Sequence, residues 1–220
     1  MNRPIRGLAF LALALLAALG ACRLPDLDPA ALVRAPLAAG EVRADRLTGA
    51  SLAYPIRLES GEALQVSAEQ QGVDVVLVLL DPRGREIVRV DGPTGAHGTE
   101  DLVAVAERTG PHRLEVRPFA RGASGSFMLR VEALRPATAA DRQVAEAQRA
   151  AARARRLAAS DRAEDRAEAA ALYAEAIATW IALERPAAAA EARLARAWLL
   201  RADGDLTGAL PEFTVAAAAF

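Results

Sequence analysis

Gly72-Val73-Asp74-Val75-Val76-Leu77-Val78-Leu79-Leu80-Asp81-Pro82-Arg83-Gly84 is the stretch that decides the fold. From Val73 to Leu80 it is apolar apart from Asp74, and it reads as a central strand. Asp81-Pro82-Arg83-Gly84 then reads as a turn, because proline fixes one backbone dihedral and glycine accepts a positive one. Ile87, Val88 and Val90 make the return strand.

Working outward, the period from Glu41 to Ala133 is two. Tyr54, Ile56 and Leu58 alternate with polar or small residues, as do Leu64, Val66 and Ala68. Leu102 to Ala106 makes another strand, and the glycine-rich Asp91 to Gly98 lies between as a loop. Two late segments echo each other, Gly110 to Val116 and Gly125 to Val131, with Phe127 where His112 stands. Each reads as a glycine turn feeding a strand, with Arg113, Glu115 and Arg130 expected to face water. Short strands need a second apolar face to bury their own, so an antiparallel β-sandwich is expected over residues 41–134.

The pattern changes at Arg135-Pro136-Ala137-Thr138, where Thr138 or Asp141 can cap a helix. From Asp141 to Leu157 alanine mixes with Arg, Gln and Glu, a strong helix former with a thin apolar face, expected to pack weakly or act as a stalk. A second helix runs from Asp161 or Asp165 to Leu183, with Leu172, Ala176 and Trp180 on one stripe and Tyr173 and Ile177 beside it. Pro186 marks a turn; a third helix covers Ala187 to Ala202 and a fourth begins near Leu206. Trp180 and Trp198 are expected in the core.

At the other end, Arg3 and Arg6 precede an uncharged run from Gly7 to Ala21, the layout of a secretory signal peptide over residues 1–21. Leu19-Gly20-Ala21-Cys22 resembles the lipobox of bacterial lipoproteins, in which small residues admit the peptidase and the cysteine thiol takes a diacylglycerol. The resemblance implies cleavage after Ala21 and membrane lipid as a partner through acylated Cys22, at about 0.8 kcal/mol per buried methylene. Cys22 is the only cysteine, so no disulfide is expected in the mature chain. Arg23 stands where aspartate favours inner-membrane retention, so the same resemblance implies a periplasm-facing anchor and favours the outer membrane over the inner. Residues 22–40, interrupted by Pro25, Pro29 and Pro36, read as a lipidated tether.

The end of the chain, residues 138–220, resembles tetratricopeptide repeats. Gly204-Asp205, Ala209-Leu210, Phe213 and Ala216 match the second half of that motif, where small residues let helices approach and the phenylalanine fills the groove between them. Ala169, Tyr173 and Ala176 repeat the spacing 40 residues earlier, against a family period of about 34. Arg193 and Arg196 stand where the family places apolar residues, and the helical region reads as incomplete. The strand region resembles the pre-peptidase C-terminal type of β-sandwich, also described as jelly-roll-like, on Leu64-Gln65-Val66, Gly72 to Val76, Leu80 to Gly84, Glu100 and the two glycine-led strands. In that arrangement a CHAT domain, a caspase-like peptidase relative, often follows the repeats.

A net charge of −1 gives no bulk attraction to nucleic acid. Cys22 is spent on lipid, and His97 and His112 lie on unlike elements, so no nucleophile has a base. Ser124 and Ser126 read as turn chemistry, and Asp81 to Gly84 lacks the later acidic ligands of a calcium loop. There is no phosphate loop, so no cofactor is expected. Arg149, Arg153, Arg155 and Arg156, nearly balanced by Asp161, Glu164, Asp165 and Glu168, read as a solvated helix face. The expectation is a membrane-anchored envelope lipoprotein that scaffolds a protein or peptide partner on its helices without catalysis. Its rivals are the non-catalytic front of a CHAT-type peptidase and a carbohydrate-binding sandwich.

Overall fold

A computed structural model of the chain describes residue 28, residues 30–92 and residues 95–219. Nine strands come first: β1 (Leu32–Val33), β2 (Val42–Thr48), β3 (Leu52–Leu58), β4 (Glu62–Gln71), β5 (Val75–Leu80), β6 (Glu86–Val90), β7 (Thr99–Val105), β8 (Gly110–Pro118) and β9 (Ser124–Pro136). Four helices follow: α1 (Ala139–Ala158), α2 (Ala163–Ala182), α3 (Pro186–Ala202) and α4 (Leu206–Ala217).

The strands form two sheets, in the orders β1-β3-β8-β5-β6 and β2-β9-β4-β7, which are not closed into a barrel. Pairing is antiparallel except for β1 on β3. The inward residues of the two sheets, among them Tyr54, Ile56, Leu77, Leu114, Leu64, Leu102 and Phe127, make one sealed core. The run at Val75–Leu80 is continuous because both its faces are buried. Val75, Leu77 and Leu79 enter the main core, and Val76, Val78 and Leu80 form a second cluster.

The face of that second cluster corrects one expectation. Val76, Val78 and Leu80 lie opposite Arg117, Glu115 and Arg113 of β8. Glu115 does not face water: it is fully buried, with Arg113 Nε at 2.8 Å and Arg117 Nη2 at 2.6 Å. Strand alternation gives the face correctly. The aliphatic stems beside the valine strip then draw the carboxylate down with them, and two guanidiniums compensate its charge. Arg130 is exposed, as its pattern indicates.

Part of the stretch that reads as a tether belongs to the sandwich. Leu32–Val33 pairs with Leu52–Ala53, Leu37 is 6% exposed, and the Leu37 N–H donates to the Pro55 carbonyl at 2.9 Å. A two-residue strand has no period to reveal it.

The helices pack in sequence as two antiparallel pairs. Thr138 is the N-cap of α1: its hydroxyl accepts from the Asp141 N–H at 3.2 Å, and Asp141 Oδ2 accepts from the Thr138 N–H at 2.8 Å. The turns after α2 and α3 share one geometry. The Arg185 N–H donates to the Trp180 carbonyl and the Asp205 N–H to the Leu200 carbonyl, with left-handed Glu184 (φ 54°) and Gly204 (φ 83°) at the matching positions.

Contrary to the stalk reading, α1 is docked on the sandwich. Gln148 Oε1 accepts from the Val103 N–H at 2.8 Å, and Gln148 Nε2 donates to the Asp101 carbonyl at 2.6 Å. One side-chain amide thus takes the place of a neighbouring strand on the free edge of β7, a common way to protect an edge. Val144, Ala145, Ala147, Ala152 and Ala154 are buried, so the thin apolar face is thin because alanine allows close approach to α2 and the sheet edge. Of the arginines assigned to a solvated face, Arg149 pairs with Glu107 and Arg156 with Glu86, both on the sandwich, while Arg153 pairs with Glu168 on α2. Among the described residues no helix is long and apolar enough to cross a membrane.

Candidate functional site

The docking of α1 holds α2 and α3 at a distance from the ends of β6 and β7, and a cleft of about 700 Å³ opens between them. The described side chains leave it open because the α3 wall is built from Ala188, Ala192 and Ala195, which are too short to reach across. Half-exposed Trp198 supplies most of its aromatic surface, the buried rings of Tyr173 and Trp180 reach it only at an edge, and Phe119, 62% exposed, stands at its lip.

The sandwich side is acidic. Asp74, Asp91, Glu100 and Asp101 line it, and Glu191 of α3 faces them. Glu100 is 1% exposed and structural: its Oε2 accepts from the Gly92 N–H at 2.8 Å, and Gln70, which donates to its Oε1, also accepts from the Val75 N–H. A Cβ on Gly92 would lie 3.2 Å from Glu100 Oε1 and 3.6 Å from Glu191 Oε1, so the two carboxylates converge on one glycine.

Positive charge is scarce here. Arg155 Nη1 stands 3.8 Å from Asp91 Oδ2. Burial pushes the Asp91 carboxyl above its ordinary range; Arg155 opposes the shift and neighbouring Asp74 adds to it. Burial pushes Glu191 up as well, with the same Arg155 opposing. Asp74 is raised by burial alone, and its Oδ1, shut off from solvent, has no hydrogen-bond partner among the described residues. Arg155 therefore serves two walls, with Arg89 adding to the counter-charge at Asp91.

The lipidation and repeat-packing residues expected from sequence fall elsewhere, apart from Tyr173. Leu19, Gly20, Ala21 and Cys22 lie outside the described residues. Ala169, Tyr173 and Ala176 are buried on α2, and Tyr173 reaches the cleft. Gly204 forms the turn before α4, and Ala209 and Ala216 are buried. Phe213 is only half-buried, its ring edge-on to Trp198 with centroids 5.0 Å apart. Trp198 itself is 52% exposed, not core as expected: Phe213 takes one side of the indole and Arg201 lies 4.8 Å over it. Arg193 and Arg196 replace apolar packing with charge, since both bind the carboxylate of Glu212, itself 8% exposed on α4.

Sequence reasoning missed Asp91, Arg155 and Glu191. Asp91 looked like the start of a loop, and Arg155 like one of four arginines on a wet helix face. Its spacing from Gln148 carries the only signal. A helix docked through Gln148 turns position 155, seven residues on, to the same side.

His97 is exposed on the β6–β7 connection, and His112 is 2% exposed on β8 with its Nδ1 3.1 Å from the Gly110 carbonyl. Among the described residues no three of His, Cys, Asp and Glu gather in a way that could hold a metal ion.

No family model matches the chain, and no curated protein matches it. Solved structures similar to part of it include the following. One is the pre-peptidase C-terminal domain of a collagenase from Bacillus anthracis, 15% identical with a TM-score of 0.39, over 48% of this chain and 100% of that one. Another is PliG from Aeromonas hydrophila, a periplasmic inhibitor of g-type lysozyme, 16% identical with a TM-score of 0.37, over 45% and 95%. The third is the CspB protease of Clostridium perfringens, 16% identical with a TM-score of 0.32, over 48% of this chain and 29% of that one. These likenesses are distant and assign no activity or ligand.

Proposed function

We propose that the protein is a lipid-anchored adaptor of the bacterial cell envelope: acylated Cys22 holds it at the periplasmic face of the outer membrane, and its helices dock a protein partner without catalysis. The observation that carries the docking half is the exposed apolar surface of the last two helices. Leu206 and Leu210, one turn apart on α4, are 65% and 68% exposed and Trp198 of α3 is 52% exposed, while the sandwich exposes Leu32, Val33, Val42 and Phe119 on three separate segments. Large apolar groups on one helix face mark interaction sites more often than isolated ones do. The run Leu19-Gly20-Ala21-Cys22 supports the anchor. The separation of buried His112 from exposed His97 supports a non-catalytic role.

Two measurements test the halves separately. Cys22→Ser is expected to abolish labelling by radioactive palmitate and leave an unprocessed precursor; unchanged labelling defeats the anchor. A photo-crosslinking side chain at Leu210 is expected to give discrete protein adducts in cells, and the same group at Arg57 on the sandwich none. Equal yields at both positions defeat helical docking.

A further inference from the structure

We infer that the cleft between the sandwich edge and α3 receives a cationic segment of the partner, an arginine or lysine side chain entering between Asp91 and Glu191 with an apolar neighbour beside it. This rests on the adaptor reading and names the chemistry of the partner.

Charge complementarity selects the occupant. Among the described residues the lining holds six carboxylates against three guanidiniums. One of those three, Arg89, is held by Glu86, at 2.9 Å between Nη2 and Oε2. An anionic ligand meets net repulsion, and a neutral one adds nothing to the partial compensation that Arg155 gives Asp91 and Glu191. The apolar surface then separates a peptide from a bare cation. Trp198, Phe119 and the alanines of α3 suit the aliphatic stem of lysine or arginine and a leucine-sized neighbour, while the charged head meets the acidic wall. Trp198 already carries one guanidinium, that of Arg201, over its ring. The volume lies within the range of about 300–1,000 Å³ usual for clefts that enclose a small ligand or a few side chains. The upward displacement of Asp91 and Glu191 agrees, since a buried carboxylate lacking compensation is what an incoming cation would relieve.

The test uses the full-length lipoprotein in detergent micelles, with micelles alone as the blank. The probes are fluorescein-labelled short peptides alternating arginine with leucine, lysine with leucine, or glutamate with leucine, and spermidine as an unlabelled competitor. The two cationic peptides are expected to bind saturably and to weaken with salt, and the glutamate peptide not to bind. Asp91→Asn with Glu191→Gln is expected to lower affinity about tenfold or more, and Trp198→Ala to lower it with the acidic wall intact; circular dichroism confirms the fold of each variant. Undiminished binding by the double variant overturns the cleft. If that binding is lost instead in Leu210→Ser, helical docking survives without the cleft. Equal binding of cationic and acidic peptides overturns the charge assignment, and full displacement by spermidine at equal concentration overturns the peptide. Failure of every peptide overturns the cleft and leaves the crosslinking at Leu210 to decide the adaptor reading.

Discussion

Two places in this molecule set a carboxylate between the sandwich and the helices, and they treat it in opposite ways. At the entry to α1, Asp141 is 4% exposed and accepts five hydrogen bonds: two from Arg135, two from the N–H and hydroxyl of Thr138, and one from Gln65 Nε2 at 2.6 Å. The Arg135 guanidinium, followed by the Thr138 and Gln65 donors, holds its carboxyl well below the usual carboxylate range. In the cleft, Asp91 and Glu191 share Arg155, and burial drives both upward. Asp141 has little exposed surface yet stays firmly ionised, because its donors outweigh a shallow burial, whereas Asp91 and Glu191 lie deeper with fewer donors. Donor supply and depth together decide the charge state. The first site is a finished joint between β4, β9 and α1; the second is an unfinished one.

Removing the finished joint has the largest expected effect. Asp141→Ala takes away the capping box and strands Arg135 and Gln65, at a cost of about 2–4 kcal/mol. Urea unfolding measures it, and a loss under about 1 kcal/mol would show that the joint is ornamental. The pH response has a definite sign. A folded pKa depressed below the unfolded value of about 3.9 gives stability that is complete above that pH and drains away as pH falls through the folded value. Below about pH 4, Asp141→Asn should therefore lose less stability than the parent chain does.

Gln148 supports both regions and comes next. Gln148→Ala exposes the β7 edge and frees the Val103 N–H and the Asp101 carbonyl, for about 1–3 kcal/mol. Because the same contact spaces the cleft, hydrogen exchange at Val103 should rise together with exchange in α1. If α1 stays protected while Val103 opens, the amide merely covers an edge and the cleft has some other support.

β3, β4 and β6 to β9 were legible because alternation survives wherever one face is buried, and β5 because both are; β1 is too short to alternate. The Asp81–Gly84 turn, a cap at Thr138 or Asp141 and the interruption at Gly204 were legible because each depends on one local residue type. The docking of α1 was not. Gln148, Arg149 and Arg156 are ordinary solvated-face residues until a sheet edge happens to lie beside them, and that depends on strand order. The cleft was illegible for the same reason, since Asp91, Arg155 and Glu191 meet across three elements. Trp198 was misplaced because helical spacing gives the direction of a side chain but not whether a further helix covers it. Glu115 was misplaced because alternation cannot foresee arginine stems closing over a carboxylate.

The unfinished joint should respond to substitution with the opposite sign. Asp91→Asn with Glu191→Gln removes two charges that burial disfavours, and is expected to stabilise the unliganded protein at neutral pH by less than about 1 kcal/mol, since both side chains keep some contact with water. Raised folded values also reverse the pH course: for these groups stability grows as pH falls through the folded pKa toward the unfolded one. The parent chain should gain on the variant's stability through that window. Destabilisation at neutral pH would mean that Arg155 compensates both carboxylates fully, and the contrast with Asp141 would collapse.

The smallest effect lies in the backbone at the cleft's edge. Glu184 holds a left-handed conformation where the equivalent turn after α3 uses Gly204. A side chain there costs about 1–2 kcal/mol against the helical region, and glycine returns part of that by losing about 0.5–1 kcal/mol more on folding. Glu184→Gly is therefore expected to stabilise by about 0.5 kcal/mol, visible as a small rise in the urea midpoint at constant slope. The substitution also withdraws one carboxylate from the cleft without touching Asp91 or Glu191. If the cleft depends on its local pair, cationic peptide affinity should hold in this variant while stability rises. A fall as large as that of the double variant would show that charge is read from the whole rim, and the two joints would then differ in geometry as well as in the number of donors.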